Sequence, residues 1–261
     1  MRALLINLKW EGERLAFQQA QAKNYGLKLE VLSAVTVAEL DPKVDDVFWE
    51  RWQRPLRDVE KATLQSHQAA WKRVVELGSP TLVLEDDAWL MPDAVSFIAE
   101  AARLESVEHL TLETRGRRKL IGHAHHHSRL VRRLWLDRTG AAAYLLWPAG
   151  ALKLLARSQA VPALADAVIV ETPRLLRWQA APAQAIQLDM ATRYSLVAPI
   201  MVASAISTVQ RPSGNHFRYR MRRIYMQVRF GLSMLRPRTE LVELVPDCVK
   251  LLASDGELTH D

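Results

Sequence analysis

The chain has 261 residues, 49% of them apolar and 25% charged, with a formal net charge of +6. That is enough to bury the core of one α/β domain, and the composition is too balanced for a disordered or fibrous protein. Cys248 is the only cysteine, which excludes an intrachain disulfide framework. The apolar run at Ala3–Leu8 is too short for a signal peptide and lacks a small-residue cleavage site, and Leu196–Ile206, interrupted by Pro199, falls short of the roughly 20 residues of a spanning helix, so the expected compartment is the cytoplasm.

In chain order, Ala3–Leu8 reads as a buried strand. A helix over Glu13–Asn24 follows, with Gly26 as its stop, and then a second strand over Leu27–Val35. Leu64, His67, Trp71, Val74 and Val75 recur at helical spacing within Val59–Leu77, and that helix ends at Gly78-Ser79-Pro80. A third strand, Thr81–Leu84, begins at once and runs into Glu85-Asp86-Asp87. Another helix is expected over Asp93–Leu104. Residues 111–138, with their arginines and the run His123-Ala124-His125-His126-His127, read as a long basic loop or a ragged hairpin. A small-residue strand covers Gly140–Leu146, Pro148 opens a helix to about Arg157, and Pro162–Asp166 reads as a loop carrying one acid among apolar neighbours. The alternation of strands and helices predicts an α/β fold with a central, mostly parallel sheet flanked by helices.

Charge is unevenly distributed. Residues 1–110 hold 13 Lys+Arg against 18 Asp+Glu, residues 111–240 hold 21 against 6, and residues 241–261 hold 1 against 5. A basic block of this size implies an anionic partner. Residues 211–238 contain eight arginines and no acid, interleaved with Phe217, Tyr219, Ile224, Tyr225, Met226, Val228 and Phe230. This pattern suits an interfacial helix on anionic lipid, and a catalytic domain over 1–210 with a basic amphipathic extension over 211–261 is the expected division. No zinc, recognition-helix or RNA-binding signature is present, so nucleic acid is not an expected partner. The histidines at 123–127 lack fixed ligand geometry and read as a phosphate-facing loop rather than a metal site.

The acidic strand end carries the chemistry. Adjacent carboxylates repel by about 4 kcal/mol per pair at about 4 Å and an effective dielectric of 20. A divalent cation, Mn²⁺ or Mg²⁺, carrying a phosphate-bearing substrate offsets that repulsion. Glu85 and Asp87 stand two apart on an extended strand end and project to one side, with Asp86 on the other. Asp87 is the expected metal ligand, with Glu85 and Asp86 divided among metal, water and ribose. A metal-dependent phosphoesterase or nuclease would also use clustered acids and a basic face, but it needs a second converging set that the sequence does not offer.

Several segments in register resemble glycosyltransferase family 25, enzymes of lipopolysaccharide or lipooligosaccharide biosynthesis. They are Ile6-Asn7-Leu8 with Glu13-Arg14, the stretch Glu60–His67 ending Ser66-His67 and followed by Trp71, Leu84-Glu85-Asp86-Asp87, Gly140–Leu155 with Tyr144 and Pro148-Ala149-Gly150-Ala151, then Val197-Ala198-Pro199 and Ser204-Ala205-Ile206. Val59, Lys61, Ala62 and Thr63 depart from the family's glycine-containing pattern there, which leaves a non-catalytic anion- or lipid-binding relative as an alternative.

The resemblance implies a GT-A-like, Rossmann-type sheet and an inverting transferase moving a hexose, galactose favoured, from a UDP-sugar or other nucleotide-sugar to a glycolipid or oligosaccharide acceptor. It implies a donor site holding Asn7, Arg14, Glu60, Ser66, His67, Glu85 and Asp86, with Asp87 and Glu85 toward the metal. Asp166 is the expected catalytic base, desolvated by Ala163, Leu164, Ala165 and Ala167 so that its pKa rises, with Asp189 and Glu171 next in line. A growing lipid-linked acceptor would place the enzyme peripherally on the anionic inner face of the cytoplasmic membrane.

Overall fold

The computed structural model describes residues 1–137, 140–200 and 217–248. Its strands are β1 (Arg2–Asn7), β2 (Lys28–Ser33), β3 (Thr81–Glu85), β4 (Ala88–Leu90), β5 (His109–Thr111), β6 (Arg118–His125), β7 (Ser128–Leu136), β8 (Ala143–Leu146), β9 (Arg177–Ala180), β10 (Ala185–Gln187) and β11 (Glu240–Glu243). Its α-helices are α1 (Gly12–Asn24), α2 (Asp58–Leu77), α3 (Ala94–Ala101), α4 (Pro148–Ala160), α5 (Ala165–Glu171) and α6 (Phe217–Met234). Nine strands form one mixed sheet in the order β11-β6-β7-β9-β5-β8-β3-β1-β2, and β4 and β10 pair separately. Their pairings orient β1, β2, β3, β5, β6 and β9 one way and β7, β8 and β11 the other, so most strands share a direction.

Strict alternation splits the core between the two faces. Ala3, Leu5, Leu82, Leu84, Ala143 and Leu145 point toward α1 and α3, where they meet Ala22, Phe97 and Ile98. Leu4, Ile6, Val83, Tyr144 and Leu146 point the opposite way, onto Leu64, Trp71 and Val74 of α2 and onto α4 and α5. Trp49 and Trp52, from a single-turn segment at Val47–Arg51 and the residue after it, complete that second face.

The chain leaves β1 through α1 to β2 on one side and returns through α2 to β3 on the other, with α1 and α2 on opposite faces. Strand order therefore reverses around β1. The crevice beyond the C-terminal ends of β1 and β3 is the switch point at which open α/β sheets bind ligands.

Residues 111–138 contain the end of β5 and a hairpin of β6 and β7 with register shifts at Leu120/Ile121, Ile121/Ala124 and Ala124/His125. The strands survive their basic sequence because apolar positions among the charges are buried, Leu120 and Ile121 on one and Val131, Leu134 and Leu136 on the other. Asp166, expected in a loop, lies instead in the first turn of α5, whose Val168 and Ile169 pack into the second core and so extend helix through it. Residues 240–243 pair with β6 as an edge strand. The Ser204-Ala205-Ile206 element and the expected boundary at 210 lie outside the described residues. Among the described residues no helix is long and apolar enough to cross a membrane.

Candidate active site

A cavity of about 500 Å³ opens at the switch point. Its wall runs from Ile6 and Leu8 at the end of β1, through Ala34–Ala38 after β2, to Val59, Thr63, Ser66 and His67 on α2. Its floor holds Glu85, Asp86, Asp87 and Asp189, and Trp10 stands at its mouth, 66% exposed.

The three acids after β3 separate toward different partners. Glu85 follows the face of Val83 toward α2, where His67 Nε2 lies 2.9 Å from its Oε1. Asp86 takes the opposite face and accepts from Arg14 Nη1 of α1 at 3.1 Å. Asp87 is half-buried, and its Oδ1 is itself buried with no hydrogen-bond partner. Burial, followed by the charges of Glu85, Asp86, Glu113 and Asp189, pushes the Asp87 pKa well above the usual carboxylate value. Asp86 is also raised, mainly by burial, although Arg14 pulls against the rise.

The turn that presents these acids is held from α1. Gln18 Nε2 donates to the Asp86 and Ala88 carbonyls at 3.1 and 2.6 Å, and Leu90 N donates to Gln21 Oε1 at 2.8 Å. On the far side Leu188 N donates to the Asp87 carbonyl at 3.0 Å, which places Asp189 on the cavity floor, where it pairs with Arg115 at 2.6 Å. Two glutamines on a helix read as solvent-facing residues in sequence. Only the pairing of β4 with β10 shows that they cover a backbone edge.

Glu85 is fixed by a buried chain of hydrogen bonds. Trp71 Nε1 can only donate, so at 2.8 Å it gives its hydrogen to the Tyr144 hydroxyl. Tyr144 then donates to His67 Nδ1 at 3.0 Å, and His67 carries its own hydrogen on Nε2, facing Glu85. Burial holds the Tyr144 phenol above its ordinary pKa, which keeps that hydroxyl a donor.

Glu113, not singled out in the sequence, ends the run Leu110-Thr111-Leu112 as Glu85 ends Thr81–Leu84. It is fully buried, which pushes its pKa up to about 8 against the pull of Lys119. Its Oε1 accepts from Ala142 N at 2.7 Å, and the Ala142 carbonyl accepts from Glu85 N at 2.8 Å, so Glu113 braces the strand end that carries Glu85.

The remaining expected site residues are distributed as follows. Arg14, Ser66, His67, Glu85, Asp86 and Asp87 all line the cavity. Ser66 Oγ accepts from Val35 N at 2.8 Å and so holds the wall after β2 against α2. Asn7 is buried beside the cavity, donating to the Leu8 carbonyl, with its Oδ1 unpartnered. Glu60 does not line the cavity. It accepts from Arg57 N at 2.8 Å as the capping residue of α2 and pairs with Arg54, and these contacts hold its pKa low against the cost of burial.

Asp166 lines a second cavity, of about 340 Å³, with Trp52, Asp137, Glu171 and Arg223 and Phe230 of α6. It is half-buried, and its pKa is pushed up to about 6 by burial first and then by Asp137 and Glu85, with His67 opposing. The rise expected from its apolar neighbours is present. Glu171 is occupied by Arg157 at 2.6 Å and by Trp52 Nε1 at 3.1 Å.

Among the described residues no three His, Cys, Asp or Glu side chains converge on a metal point. Asp87 nevertheless offers a buried, unpartnered carboxylate oxygen with further acids around it. That donor set fits a hard cation bound through one or two carboxylates that completes its shell with substrate phosphate oxygens.

No curated protein matches the chain significantly. Similar solved structures include a glycosyltransferase involved in the glycosylation of the major capsid of PBCV-1, at 10% identity and a TM-score of 0.40, covering 71% of this chain and 91% of that one. A putative glucose-1-phosphate thymidylyltransferase from Bacillus anthracis aligns at 10% identity and 0.34, over 68% and 67%. A mannose-1-phosphate geranyltransferase from Thermus thermophilus aligns at 12% and 0.33, over 69% and 72%. The model of glycosyltransferase family 25, described as an LPS biosynthesis protein, matches residues 1–169, which include the strand of Asn7, the helix of His67, the acidic turn and Asp166. The chain belongs to glycosyltransferase family 25.

Proposed function

We propose that this glycosyltransferase moves a hexose, with galactose the first candidate, from a UDP-sugar to a lipopolysaccharide, lipooligosaccharide or related glycan acceptor, with inversion at the anomeric carbon. The observation that carries this reading is Asp87, a half-buried carboxylate with one buried, unpartnered oxygen on the floor of the switch-point cavity. A buried charge of this kind is costly unless a ligand compensates it.

In this reading Trp10 and the apolar segment Val35–Val37 receive the nucleobase, and the diphosphate lies toward Asp87 and Asp189. Asp87, with Glu85, would hold Mn²⁺ or Mg²⁺, and such a cation supplies Lewis-acid stabilisation of the leaving diphosphate. His67 fixes Glu85, and Arg14 fixes Asp86, so the acids do not rearrange as charge develops. The acceptor hydroxyl oxygen attacks the anomeric carbon on the face opposite the diphosphate and gives its proton to Asp166. The sugar–diphosphate bond breaks, and its electron pair leaves with the nucleotide. Asp166 suits the role of base because it is ionised above about pH 6 and lies within electrostatic reach of Glu85 and His67.

Membrane association draws support from α6. Met221, Ile224, Val228, Leu232 and Leu235 form an exposed stripe at spacings of three and four, and the exposed Arg218 and Arg220 flank it on either side. An exposed apolar stripe bordered by arginines suits the anionic face of a bilayer.

A thermal-shift screen of nucleotide sugars with and without Mn²⁺ tests the donor reading. Stabilisation by one UDP-sugar, larger with the metal, is the expected result. Indifference to every nucleotide sugar in both conditions would sink it. Flotation with liposomes with and without anionic lipid tests the surface, and binding insensitive to lipid charge would count against it.

A further inference from the structure

A third cavity, of about 670 Å³, lies on the far side of Val170 and Phe230 from Asp166. Five arginines line it and no acid does: Arg133 from β7, Arg174 and Arg177 from the segment entering β9 and from β9 itself, and Arg229 and Arg236 from α6 and the turn after it. Three regions distant in sequence thus bring their guanidinium groups to one concavity.

None of these five forms an ion pair among the described residues. The acids nearest in electrostatic terms are already engaged: Glu108 with Lys153 at 2.6 Å, Glu171 with Arg157 at 2.6 Å, and Asp137 with Lys119 at 2.7 Å. The arginines are held instead by neutral groups. Arg133 donates to the Arg177 and Leu175 carbonyls, Arg177 to those of Ile169, Val170 and Trp135, and Arg229 to that of Glu171. Arg133 and Arg236 lie 4.9 and 4.1 Å from the centre of the Trp135 ring. Arg177 Nε is buried with no partner.

This positive cluster is destabilised by its own repulsion. Burial and then the neighbouring Arg133 and Arg229 bring Arg177 down to about 10, and burial and Arg236 lower Arg133. Carbonyls and an aromatic face orient guanidinium groups but do not neutralise them. A phosphate does, accepting paired N–H groups from several arginines at once.

The geometry points to the Arg133–Arg177–Arg229–Arg236 cavity as a binding site for a phosphate group, a terminal phosphomonoester or diphosphate carried either by a free anion or by a lipid headgroup. Leu232 and Leu235, exposed on the same rim, offer an apolar contact to the second kind of carrier. The cavity shares no residue with the one that holds Asp87, so this inference and the donor reading stand or fall separately.

The test uses the full chain with EDTA present, which keeps cation-dependent binding at Asp87 silent. Calorimetric titration with inorganic pyrophosphate forms one arm, and sedimentation with phosphatidylcholine vesicles with and without phosphatidic acid forms the other. The variant is Arg174→Gln/Arg236→Gln, in which both side chains are exposed, and Asp87→Ala serves as control. Binding that Asp87→Ala retains and the double variant weakens at least tenfold supports the site. Support in the pyrophosphate arm identifies a free phosphate as sufficient, and support in the vesicle arm alone identifies the headgroup. Equal binding by wild type and double variant, or no binding in either arm, overturns the proposal. If the double variant loses its far-UV circular dichroism, Arg236→Gln alone decides by the same criteria.

Discussion

His67 Nε2 stands 2.9 Å from Glu85 Oε1, while His67 Nδ1 receives the Tyr144 hydroxyl at 3.0 Å. The imidazole therefore joins the acidic end of β3 to the buried aromatic pair Trp71 and Tyr144. The helix that precedes β3 in the chain and the antiparallel strand beside it both set the direction of one carboxylate. A histidine on an apolar helix face is thus a positioning residue for Glu85, and its burial leaves it no free nitrogen for other work.

Replacing His67 with Ala removes a partner from both Glu85 and Tyr144, and the buried Tyr144 hydroxyl keeps only Trp71. The expected cost is about 1–3 kcal/mol from lost and unsatisfied hydrogen bonds. Tyr144→Phe leaves the Trp71 N–H without an acceptor and costs a similar amount. Urea denaturation reads both, and an unchanged midpoint in His67→Ala would show that the chain of bonds carries no stability.

Asp87→Asn is expected to stabilise the protein alone while abolishing metal-dependent donor binding. Because burial raises the Asp87 pKa, the folded chain holds its proton to higher pH than the unfolded chain does. The stability this provides is complete below the ordinary carboxylate value and is lost as pH rises through the folded pKa. The variant should therefore melt above wild type at about pH 7.5, with the gap closing toward about pH 4. A lower melting temperature at neutral pH would contradict the assignment of Asp87 as an uncompensated buried acid.

If Asp166 takes the acceptor proton, it must be ionised to act, and its pKa is about 6. The kcat/KM of wild type should fall as pH drops through that value and level off above it. Asp166→Asn should lose about 10²–10⁴-fold in turnover at every pH, the usual contribution of a general base. Retention of most of the activity, with the acidic limb unchanged, would move the role elsewhere. Asp189 is then the next candidate, since it lines the switch-point cavity and has one partner, Arg115, whereas Glu171 is buried under both Arg157 and Trp52.

The sequence carries the first βαβ units almost to the residue, because their information is local. The apolar run in Ala3–Leu8, the Gly26 and Gly78 stops and the apolar spacing of α2 all act within one element. Part of the cavity lining is legible in the same way: an acid-ended buried strand and a histidine one turn before Trp71 mark it, while Glu60 lies outside it and Asp166 lines another cavity. What escapes detection depends on distant partners. β4 and β10 span three residues each, too few for a period, and their pairing alone places Asp189 beside Asp87. Glu60 and Gln18 are the same kind of polar helix residue in sequence, yet one caps α2 and the other holds the acidic turn. Asp166 falls in a helix because its neighbours pack onto α2 and α4, contacts invisible to a window around it.

Gly140 illustrates such a dependence and provides a test. It adopts φ +106°, and a Cβ there would lie 2.5 Å from Glu113 Oε1, which is tied to Ala142 N and cannot withdraw without losing that bond. Gly140→Ala is expected to cost about 2–4 kcal/mol, combining backbone strain with overpacking against a buried side chain. In a Glu113→Ala background the steric part disappears and only the strain remains, so the same substitution should cost about 1–2 kcal/mol less. A double-mutant cycle in urea separates the two contributions. Equal costs in both backgrounds would mean that the backbone angle alone demands glycine. A clear coupling would show that Glu113 and Gly140 together shape the strand end on which Glu85 is presented.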